Sequence, residues 1–419
     1  MLDIKFIREN KKEVEKMLQK RNMKLDLDHT IEIDDERKKL IGEVESLRHT
    51  RKEVAEKKDI KKGREIKEKL PKKEAALAAV EEELNEYLDK VPNELEKEVP
   101  EGKDENDNVE IKRWGQVPKF DFKPLDHIEL GKRLDLIDFE TAAKVTGHKF
   151  YYLKNDAVLL ELALINYAFK ALLKEGFTPV RTPDLVRPEV ANGIGFQPRG
   201  PEAQIYTVEK ENLSLVGTAE IPLGGYHAGE ILDEKDLPLK YLGFSPCFRT
   251  EAGSYGRVSY GLYRVHQFDK AEMFIYCRPE NSKKMHQYIL SLEEKLFQGL
   301  EIPYRVVDIC AGDLGAAAAR KFDIEAWMPG REGGSYGEVT STSNTTDYQA
   351  RRLNIKYRVQ GTGGRGQQTE FVHTLNGTAI AISRALIAIL ENYQTKEGSI
   401  KVPKVLHEYL GKDTIQRPK

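Results

Sequence analysis

In the first hundred residues, apolar side chains recur every seven positions among long runs of lysine and glutamate. Two rows have this spacing: Ile33, Leu40, Leu47 and Val54, and then Leu70, Leu77, Leu84 and Val91. The spacing predicts the narrow apolar stripe of a coiled coil over about residues 31–91. The segment from Asp59 to Arg64 contains Gly63, so we predict that two helices of about 40 Å each fold back there as an antiparallel hairpin. Pro71 is expected to kink or restart the second helix.

Farther along the chain, apolar and polar residues alternate in residues 241–252 and 261–276, on either side of a turn-rich segment. The pattern predicts an antiparallel β-hairpin with a long loop. Every second side chain of a strand lies on the same face. That face is predicted to carry Arg249, Glu251, Arg264, Phe268 and Glu272. A structural network of ion pairs on a solvated sheet is the alternative, but guanidiniums suit phosphate and an aromatic ring suits a base, which favours a nucleotide site.

A proline- and acid-rich segment, residues 91–108, separates the helical region from a region with a different pattern. Beyond it, strand-like runs such as residues 213–220 alternate with helical runs such as residues 158–176. We therefore predict an α+β protein with a helical domain of residues 1–108 and a domain of residues 109–419, in which helices flank an antiparallel sheet. A chain of 419 residues is long enough for both domains.

Composition narrows the classes of function. The formal net charge is −2 and the pI is about 6.6, so any nucleic-acid contact must come from local patches. The three cysteines, Cys247, Cys277 and Cys310, have no CxxC spacing, which argues against a zinc site or a disulfide framework, and we expect them to be reduced and buried. No apolar run approaches the length of a membrane span, and the amino terminus does not resemble a secretory signal. We expect a cytoplasmic protein with neither a membrane nor a DNA partner.

Basic residues concentrate on the outer half of the predicted helical arm. The basic residues that we assign to contact with a phosphate backbone are Arg48, Arg51, Lys52, Lys57, Lys58, Lys61, Lys62 and Arg64. The plain alternative is a solvated coiled-coil surface. A projecting basic tip nevertheless suits a phosphate backbone, because each neutralised phosphate releases counterions.

Several segments resemble the class II aminoacyl-tRNA synthetases, and the seryl-tRNA synthetases among them. FRTEAGS, RVHQF and KAE resemble the second class II motif, LNGTAIAISRALIAILENYQ resembles the third with Arg384, and FTPVRTPDLV resembles the first with Pro183. GTAEIPL, GEVTSTSN, DYQARRLNI and GSIKVPKVLHEYLG also resemble seryl-enzyme segments, and the similarity runs from Met1 to about Gly411. The resemblance implies an ATP-dependent ligase that forms seryl-adenylate and then seryl-tRNA. It also implies a class II domain with a six- or seven-stranded antiparallel sheet.

The resemblance implies partners as well. ATP, L-serine and serine tRNA would be the substrates, and Mg²⁺ would be the cofactor. A homodimer is expected, because the first class II motif forms that interface in the family. The helical arm of one subunit would then grip the long variable arm of a tRNA whose acceptor end lies in the other subunit's active site. Some relatives also charge the selenocysteine tRNA.

Residue roles follow from the resemblance at matching positions. Arg249, Arg264 and Arg384 would do the catalytic work of stabilising phosphate charge, and Arg249 would also reach the serine carboxylate. Phe268 and Arg384 would enclose the adenine, whose amino group would donate to Glu251. The full ATP set is Arg249, Thr250, Glu251, Arg264, Val265, Phe268, Glu338, Val339, Thr340, Ser341 and Arg384. Glu338 and Ser341 would bind Mg²⁺ through oxygen, although such a pair alone carries little weight.

The serine site that the resemblance implies is small and polar. Its residues are Thr218, Ala219, Glu220, Arg249, Glu272, Asn376 and Thr378. Alanine would leave these groups unpaired, which could favour serine by ~10⁴-fold or more. For Asn376 and Thr378 turn chemistry is an equally open explanation.

The chain also departs from the family pattern. Val258, Ser259 and Tyr260 stand where relatives usually carry Asp-Thr-Arg or Asp-Thr-Lys, which removes an acid and a base from the expected acceptor-stem contact. Ile382 and Ser383 precede Arg384 where many relatives have glycine. The glycine-rich residues 359–367 lack the GK[ST] ending of a phosphate loop and are predicted to be a flexible connection. His266 receives no chemical role, although alternation places it on the same face as Arg264 and Phe268.

Two alternative functions stay open on the sequence. One is an enzyme that passes seryl-adenylate to an acceptor other than tRNA, which the altered hairpin loop favours and the basic arm opposes. The other is a catalytically silent RNA-binding paralogue, which the intact set of arginines and carboxylates opposes.

Overall fold

The computed structural model describes residues 2–57, 59–196, 204–251, 261–331, 333–359 and 368–418. The chain divides into two compact units, Met1–Leu95 and Glu96–Lys419. The boundary predicted at residue 108 therefore lies too late. The segment after Leu95 belongs to the second unit, because the Glu96 N–H donates to the Ala319 carbonyl at 3.0 Å and the Asn108 side chain donates to Asp313 at 2.9 Å.

The first unit is helical. Its helices are α1 (Ile4–Glu9), α2 (Lys11–Lys20), α3 (Leu27–Glu56) and α4 (Ile60–Lys90). The long helices α3 and α4 contain 30 and 31 residues and pack against each other. Their apolar rows face inward, so that Ile33, Leu40, Val54, Leu70 and Leu84 are buried. The predicted hairpin of helices is confirmed.

The fold-back of this hairpin lies earlier than predicted. Helix α3 ends at Glu56, and Asp59 caps α4 by accepting from the Lys62 N–H at 3.1 Å. Gly63 therefore lies inside α4 and not in the turn. Of the kink or restart predicted at Pro71, the restart does not occur, because α4 continues through this residue. Pro71 is on the exposed side of the helix, where water can solvate the carbonyl that proline leaves without its usual N–H partner.

The second unit carries the remaining helices and all of the described strands. The helices are α5 (His127–Arg133), α6 (Phe139–Val145), α7 (Asp156–Leu173), α8 (Pro188–Ile194), α9 (Glu220–Gly224), α10 (Ser282–Gly299), α11 (Tyr348–Leu353), α12 (Ile382–Asn392) and α13 (His407–Leu410). The strands are β1 (Val109–Trp114), β2 (Ile137–Asp138), β3 (Tyr152–Leu153), β4 (Thr178–Arg181), β5 (Leu185–Val186), β6 (Ser214–Leu215), β7 (Ile231–Asp233), β8 (Leu239–Phe248), β9 (Gln267–Cys277), β10 (Tyr304–Asp308), β11 (Arg320–Met328), β12 (Ser335–Asn344), β13 (Lys356–Arg358), β14 (Thr369–Phe371), β15 (His373–Ala381), β16 (Ile400–Lys401) and β17 (Thr414–Ile415).

One large sheet dominates this unit. In the described part of the chain it has eight strands in the order β1-β10-β11-β12-β15-β9-β8-β4. Neighbours are antiparallel except for the parallel pair of β4 and β8. The expected number of six or seven strands is too low, because β1 pairs with β10 at one edge and β4 with β8 at the other.

The two faces of the sheet have different environments. Helices α7, α10 and α12 pack against it, and Met273 and Ile275 of β9 join the same apolar core as Ile289 and Leu296 of α10. The alternate residues of β9, Phe268, Lys270 and Glu272, line a cavity. Of the helices that the structure describes, none is long and apolar enough to cross a membrane.

Candidate active site

The predicted β-hairpin forms the centre of the site. Strands β8 and β9 pair in antiparallel register from Leu239 opposite Tyr276 to Phe248 opposite Gln267. The strands are shorter than the alternation predicts, so Arg249, Glu251 and Arg264 lie just beyond their ends. Glu251 has a φ of 52°, a left-handed conformation that is incompatible with a regular strand at this position. The loop residues Val258, Ser259 and Tyr260 lie outside the described residues.

A cavity of about 600 Å³ opens over these strand ends. It brings together most of the residues predicted for the ATP site: Arg249, Glu251, Arg264, Val265, Phe268, Glu338, Val339, Thr340, Ser341 and Arg384. Besides Arg249, which belongs to both predicted sets, it is lined by four more residues predicted for the serine site: Glu220, Glu272, Asn376 and Thr378.

Three predicted residues do not line the cavity. Thr218 and Ala219 are fully buried beside it, and the Thr218 hydroxyl accepts from the Glu220 N–H at 3.2 Å. The Thr250 N–H donates to the Gln204 carbonyl at 3.0 Å. In this structure these residues support their neighbours and do not face the cavity.

The arginines of the site are held by protein groups. Arg264 contacts Glu251 at 2.7 Å, and Arg384 contacts Glu338 at 2.8 Å. The Arg249 Nε donates to the Gly217 carbonyl at 3.1 Å, and its guanidinium lies over the Phe268 ring at 5.3 Å. Each guanidinium is therefore pre-positioned around the cavity before any anion arrives.

Glu338 and Ser341 share a face of β12 because of a β-bulge. Residues three apart in a regular strand lie on opposite faces. Here the register between β11 and β12 shifts by one residue, so that Ile324 pairs with Thr340 and Glu325 with Glu338. The extra residue, Val339, brings Glu338 to the face of Ser341. Both oxygens then line the same cavity, as a shared metal site requires.

Burial and neighbouring charges shift the pKa values of three carboxylates in the site. Burial alone would raise the pKa of Glu338, but the positive charges of Arg384 and Lys321 outweigh it and lower the pKa to about 2. Burial, reinforced by the charge of Glu272, raises the pKa of Glu220 to about 7. Burial likewise raises the pKa of Asp323 to about 7. Glu338 is thus fixed as an anion, whereas Glu220 can exchange a proton near neutral pH.

The predicted serine end of the cavity is a connected polar cluster. Glu220 accepts from the side-chain amides of Asn376 and Gln349, each at 2.9 Å. The Thr378 hydroxyl lies 3.4 Å from a Glu272 oxygen, and Lys270 contacts the same carboxylate at 2.5 Å. Hydroxyl, amide and carboxylate groups of this kind can bind both the ammonium and the hydroxyl of a small amino acid.

Sequence reasoning missed several cavity residues. Lys270 has the same even spacing as Phe268 and Glu272, so alternation could have identified it. Lys321 lines the cavity and contacts Asp323 at 3.1 Å. The two residues lie two positions apart on β11 and therefore on the same face of the strand. Tyr263 also lines the cavity, with the Arg384 guanidinium 4.9 Å from its ring centre. No sequence signal linked Tyr263 to Arg384, because the two residues are far apart along the chain.

His266 is not among the residues that line the cavity. Its Nδ1 donates to the Arg249 carbonyl at 2.9 Å, and its ring lies near those of Phe150 and Tyr206. The placement from alternation is wrong because β9 begins only at Gln267. The three cysteines are free and buried, as expected. Lys58 and residues 360–367 lie outside the described residues.

Comparison with known proteins agrees with this arrangement. The first unit matches the family model of the seryl-tRNA synthetase N-terminal domain over residues 1–95. Residues 206–393 match the class II tRNA synthetase core domain model for the G, H, P, S and T enzymes. A serine--tRNA ligase of Dictyoglomus thermophilum is 59% identical over 433 residues, covering 100% of both chains. The chain belongs to the seryl-tRNA synthetase family.

Solved structures of this family have the same fold. A seryl-tRNA synthetase from Pyrococcus horikoshii, complexed with ATP, is 45% identical, with a TM-score of 0.89 and full coverage of both chains. A cytoplasmic serine-tRNA ligase from Naegleria fowleri, in complex with AMP, is 35% identical, with a TM-score of 0.86 and coverage of 100% and 99%. As a seryl-tRNA synthetase family member, the chain is an ATP-dependent ligase.

Proposed function

We propose that the cavity activates L-serine with ATP and that the enzyme then transfers the seryl group to the 3′ end of serine tRNA. One observation carries the proposal: three guanidiniums and a phenyl ring converge on the same cavity as the polar cluster of Glu220, Glu272, Asn376 and Thr378. Phosphates and an amino acid are the two kinds of ligand that these groups suit. The chain is a serine:tRNA ligase by family, and we assign the binding of ATP and serine to individual residues below.

In the activation step, a serine carboxylate oxygen attacks the α-phosphorus of ATP and pyrophosphate leaves. Both reactants are anions, so the protein must hold them in line and offset their charge. Two contacts of Arg249 support a role at both ends of the cavity: its guanidinium lies over the Phe268 ring, and its Nε donates to the Gly217 carbonyl in the loop before α9. It binds the α-phosphate and the serine carboxylate. Arg264 and Arg384 bind the outer phosphates, by exchanging Glu251 and Glu338 for phosphate oxygens or by bridging both.

Glu338 and Ser341 would hold Mg²⁺. The fit rests on the bulge that brings both oxygens to one face and on the low pKa that keeps Glu338 ionised. Within the described residues no group of three acidic, histidine or cysteine side chains could hold a metal. Mg²⁺ is commonly bound by one or two protein oxygens with substrate phosphates and water. When bound, the ion offsets phosphate charge.

Selection of serine rests on the cluster around Glu272. Thr378 and Glu272 are both buried and offer a hydroxyl and a carboxylate to the substrate hydroxyl. Alanine could not make these bonds, and unpaired buried polar groups are costly. The Glu220 carboxylate accepts hydrogen bonds from the ammonium group of the serine substrate. The positive charge of that ammonium group would favour the ionised form of Glu220.

For tRNA, we propose the basic outer half of α3 and α4 as the contact. The seven described residues of the predicted set are all exposed: Arg48, Arg51, Lys52, Lys57, Lys61, Lys62 and Arg64. Arg48 is paired with Glu74 at 2.8 Å, so its charge is already partly offset within the arm. Whether the selenocysteine tRNA is also charged, and whether the enzyme works in the cytoplasm, stay predictions.

A homodimer would cover the exposed apolar face of α7. Val158, Leu159, Leu162 and Leu173 of this helix are 39–51% exposed. Such a face on one helix favours association with another apolar surface. Because the first class II motif follows α7 directly, we propose that the occupant is a second copy of the chain.

The test compares serine-dependent ATP/pyrophosphate exchange with charging of serine tRNA. The triple variant Lys61→Glu, Lys62→Glu and Arg64→Glu should keep exchange and lose most charging at low salt. A matched control, Lys12→Glu, Lys16→Glu and Lys24→Glu, changes the same charge elsewhere on the first unit and should charge normally. Exchange without charging in the parent enzyme would favour a non-tRNA acceptor, and equal loss in both triple variants would contradict the assignment of the tip.

A further inference from the structure

A buried His–Glu pair lies outside the cavity and has no part in the chemistry described above. His127 begins α5, and Glu391 lies in the last turn of α12, the helix that carries Arg384 in its first turn. Their side chains are 4% and 1% exposed, and the His127 Nδ1 lies 2.8 Å from a Glu391 oxygen. The Glu391 carboxylate also accepts the backbone N–H of His127 at 3.0 Å and that of Gly330 at 2.8 Å.

The second ring nitrogen of His127 reaches the return limb of the nucleotide hairpin. The Leu262 N–H donates to Nε2 at 3.2 Å. Because Nε2 accepts and the Glu391 carboxylate is an acceptor, the proton of the neutral ring is on Nδ1. The ring packs directly against Gly261, whose φ is +54° and where a Cβ would lie 2.0 Å from Nε2. A glycine is therefore needed at this point for the contact to form.

The two backbone segments held by this pair lead to the same aromatic ring. Leu262 precedes Tyr263, and Gly330 precedes Arg331. The guanidinium of Arg331 lies 4.5 Å from the Tyr263 ring centre, and that of Arg384 lies 4.9 Å from it. The Arg384 Nε also points to the Tyr263 carbonyl at 3.5 Å. The Arg384 guanidinium also contacts Glu338 at 2.8 Å, so its place depends both on Glu338 and on where Tyr263 is held.

We propose that His127 and Glu391 are positioning residues for ATP: they fix the backbone at Leu262 and Gly330, and through Tyr263 they orient Arg384 toward the nucleotide. The inference rests on the proposed role of Arg384 in ATP binding. It predicts a selective effect. Loss of the pair should weaken the use of ATP and leave the serine end of the cavity, which is built by α9, β9 and β15, nearly unchanged.

The test uses His127→Leu and His127→Gln in the full-length enzyme. Leucine fills the space but leaves the buried Leu262 N–H without an acceptor, so the KM for ATP in exchange should rise about tenfold. The KM for serine should change less than about twofold, since none of the residues that bind the serine substrate is displaced. Glutamine can still accept from Leu262, so His127→Gln should restore most of the ATP affinity. His407→Leu, which removes a histidine whose Nε2 bonds the Val402 backbone carbonyl far from Leu262 and Gly330, is the control and should leave both KM values unchanged.

Three results would overturn the inference: an unchanged KM for ATP in His127→Leu despite a lower melting temperature, equal rises of both KM values, or no recovery in His127→Gln. If His127→Leu does not fold, Glu391→Gln gives the same reading. The amide oxygen of glutamine can still accept from His127, but the amide NH₂ group then faces the Gly330 N–H, which is also a donor. The hydrogen bond to Gly330 is therefore lost, and the KM for ATP should rise selectively. Arg384→Ala separates this inference from the proposed function. If Arg384→Ala abolishes exchange and the His127 variants behave normally, only the positioning role fails.

Discussion

Replacing Glu220 with glutamine should stabilise the ligand-free enzyme at alkaline pH while weakening serine binding. The pKa of Glu220 is raised to about 7, first by burial and then by the charge of Glu272. An acid whose folded pKa is raised adds no penalty below its unfolded pKa of about 4.5. Between about pH 4.5 and 7 the unfolded chain releases this proton while the folded state retains it, so stability falls, and above the folded pKa of about 7 the penalty is constant.

The size of the effect follows from the same values. A shift from 4.5 to about 7 corresponds to an upper limit of about 3 kcal/mol at pH 8. Glu220 lines an open cavity, and solvent there reduces the penalty, so we expect about 1–2 kcal/mol. Glutamine retains an oxygen that accepts from Asn376 and Gln349 and carries no charge. For a unit of this size the gain corresponds to a rise in melting temperature of about 2–3 °C.

The assay is thermal unfolding of the parent enzyme and Glu220→Gln without ligands at pH 5 and pH 8. The melting temperature of the variant should exceed that of the parent at pH 8 and be nearly equal at pH 5. Glu397→Gln removes the charge of an exposed carboxylate in the same unit and should show no such difference. An equal shift at both pH values, or a lower melting temperature at pH 8, would refute the electrostatic reasoning. In exchange assays the KM of Glu220→Gln for serine should rise.

Further predictions concern individual contacts. Arg249→Ala should reduce serine-dependent exchange by at least about 10²-fold, because no other described guanidinium lies over Phe268; near-normal exchange would remove Arg249 from the mechanism. Thr378→Val should raise the KM for serine about tenfold and spare that for ATP, since its hydroxyl lies beside Glu272; parallel changes in both would count against a serine contact. Gly42→Ala adds a methyl group that would meet no atom within 4 Å apart from the adjacent residues and the nearby backbone of α3, so amide hydrogen exchange in α3 should slow about two- to fivefold, equivalent to about 0.5–1 kcal/mol; faster exchange would show that the helix needs glycine at this position.

The sequence predicted the elements whose pattern is local. The heptad rows predicted α3 and α4, and alternation predicted the β8–β9 hairpin, because both depend on the spacing of side chains within one segment. The position of the fold-back was missed because Asp59, an N-cap, decides it more strongly than Gly63. The outer strand β1 was missed because its residues are mostly exposed and its pairing with β10 depends on a distant segment.

Prediction of the site was limited in the same way. The family resemblance named Glu338 and Ser341, but only the register shift between β11 and β12 explains how residues three apart share a face. Lys270 could have been found from alternation with Phe268 and Glu272. The contact of Arg384 with Tyr263 and the link from His127 to Leu262 join residues more than a hundred positions apart, and no local pattern encodes them.

The most direct test of the central claim, that one cavity joins a phosphate-binding arginine cluster to a pocket for serine, is ATP/pyrophosphate exchange measured with each of the twenty amino acids. We predict Mg²⁺-dependent exchange with serine and, for alanine, a kcat/KM lower by about 10⁴-fold or more. Exchange that does not depend on serine, or that alanine supports equally well, would contradict the account.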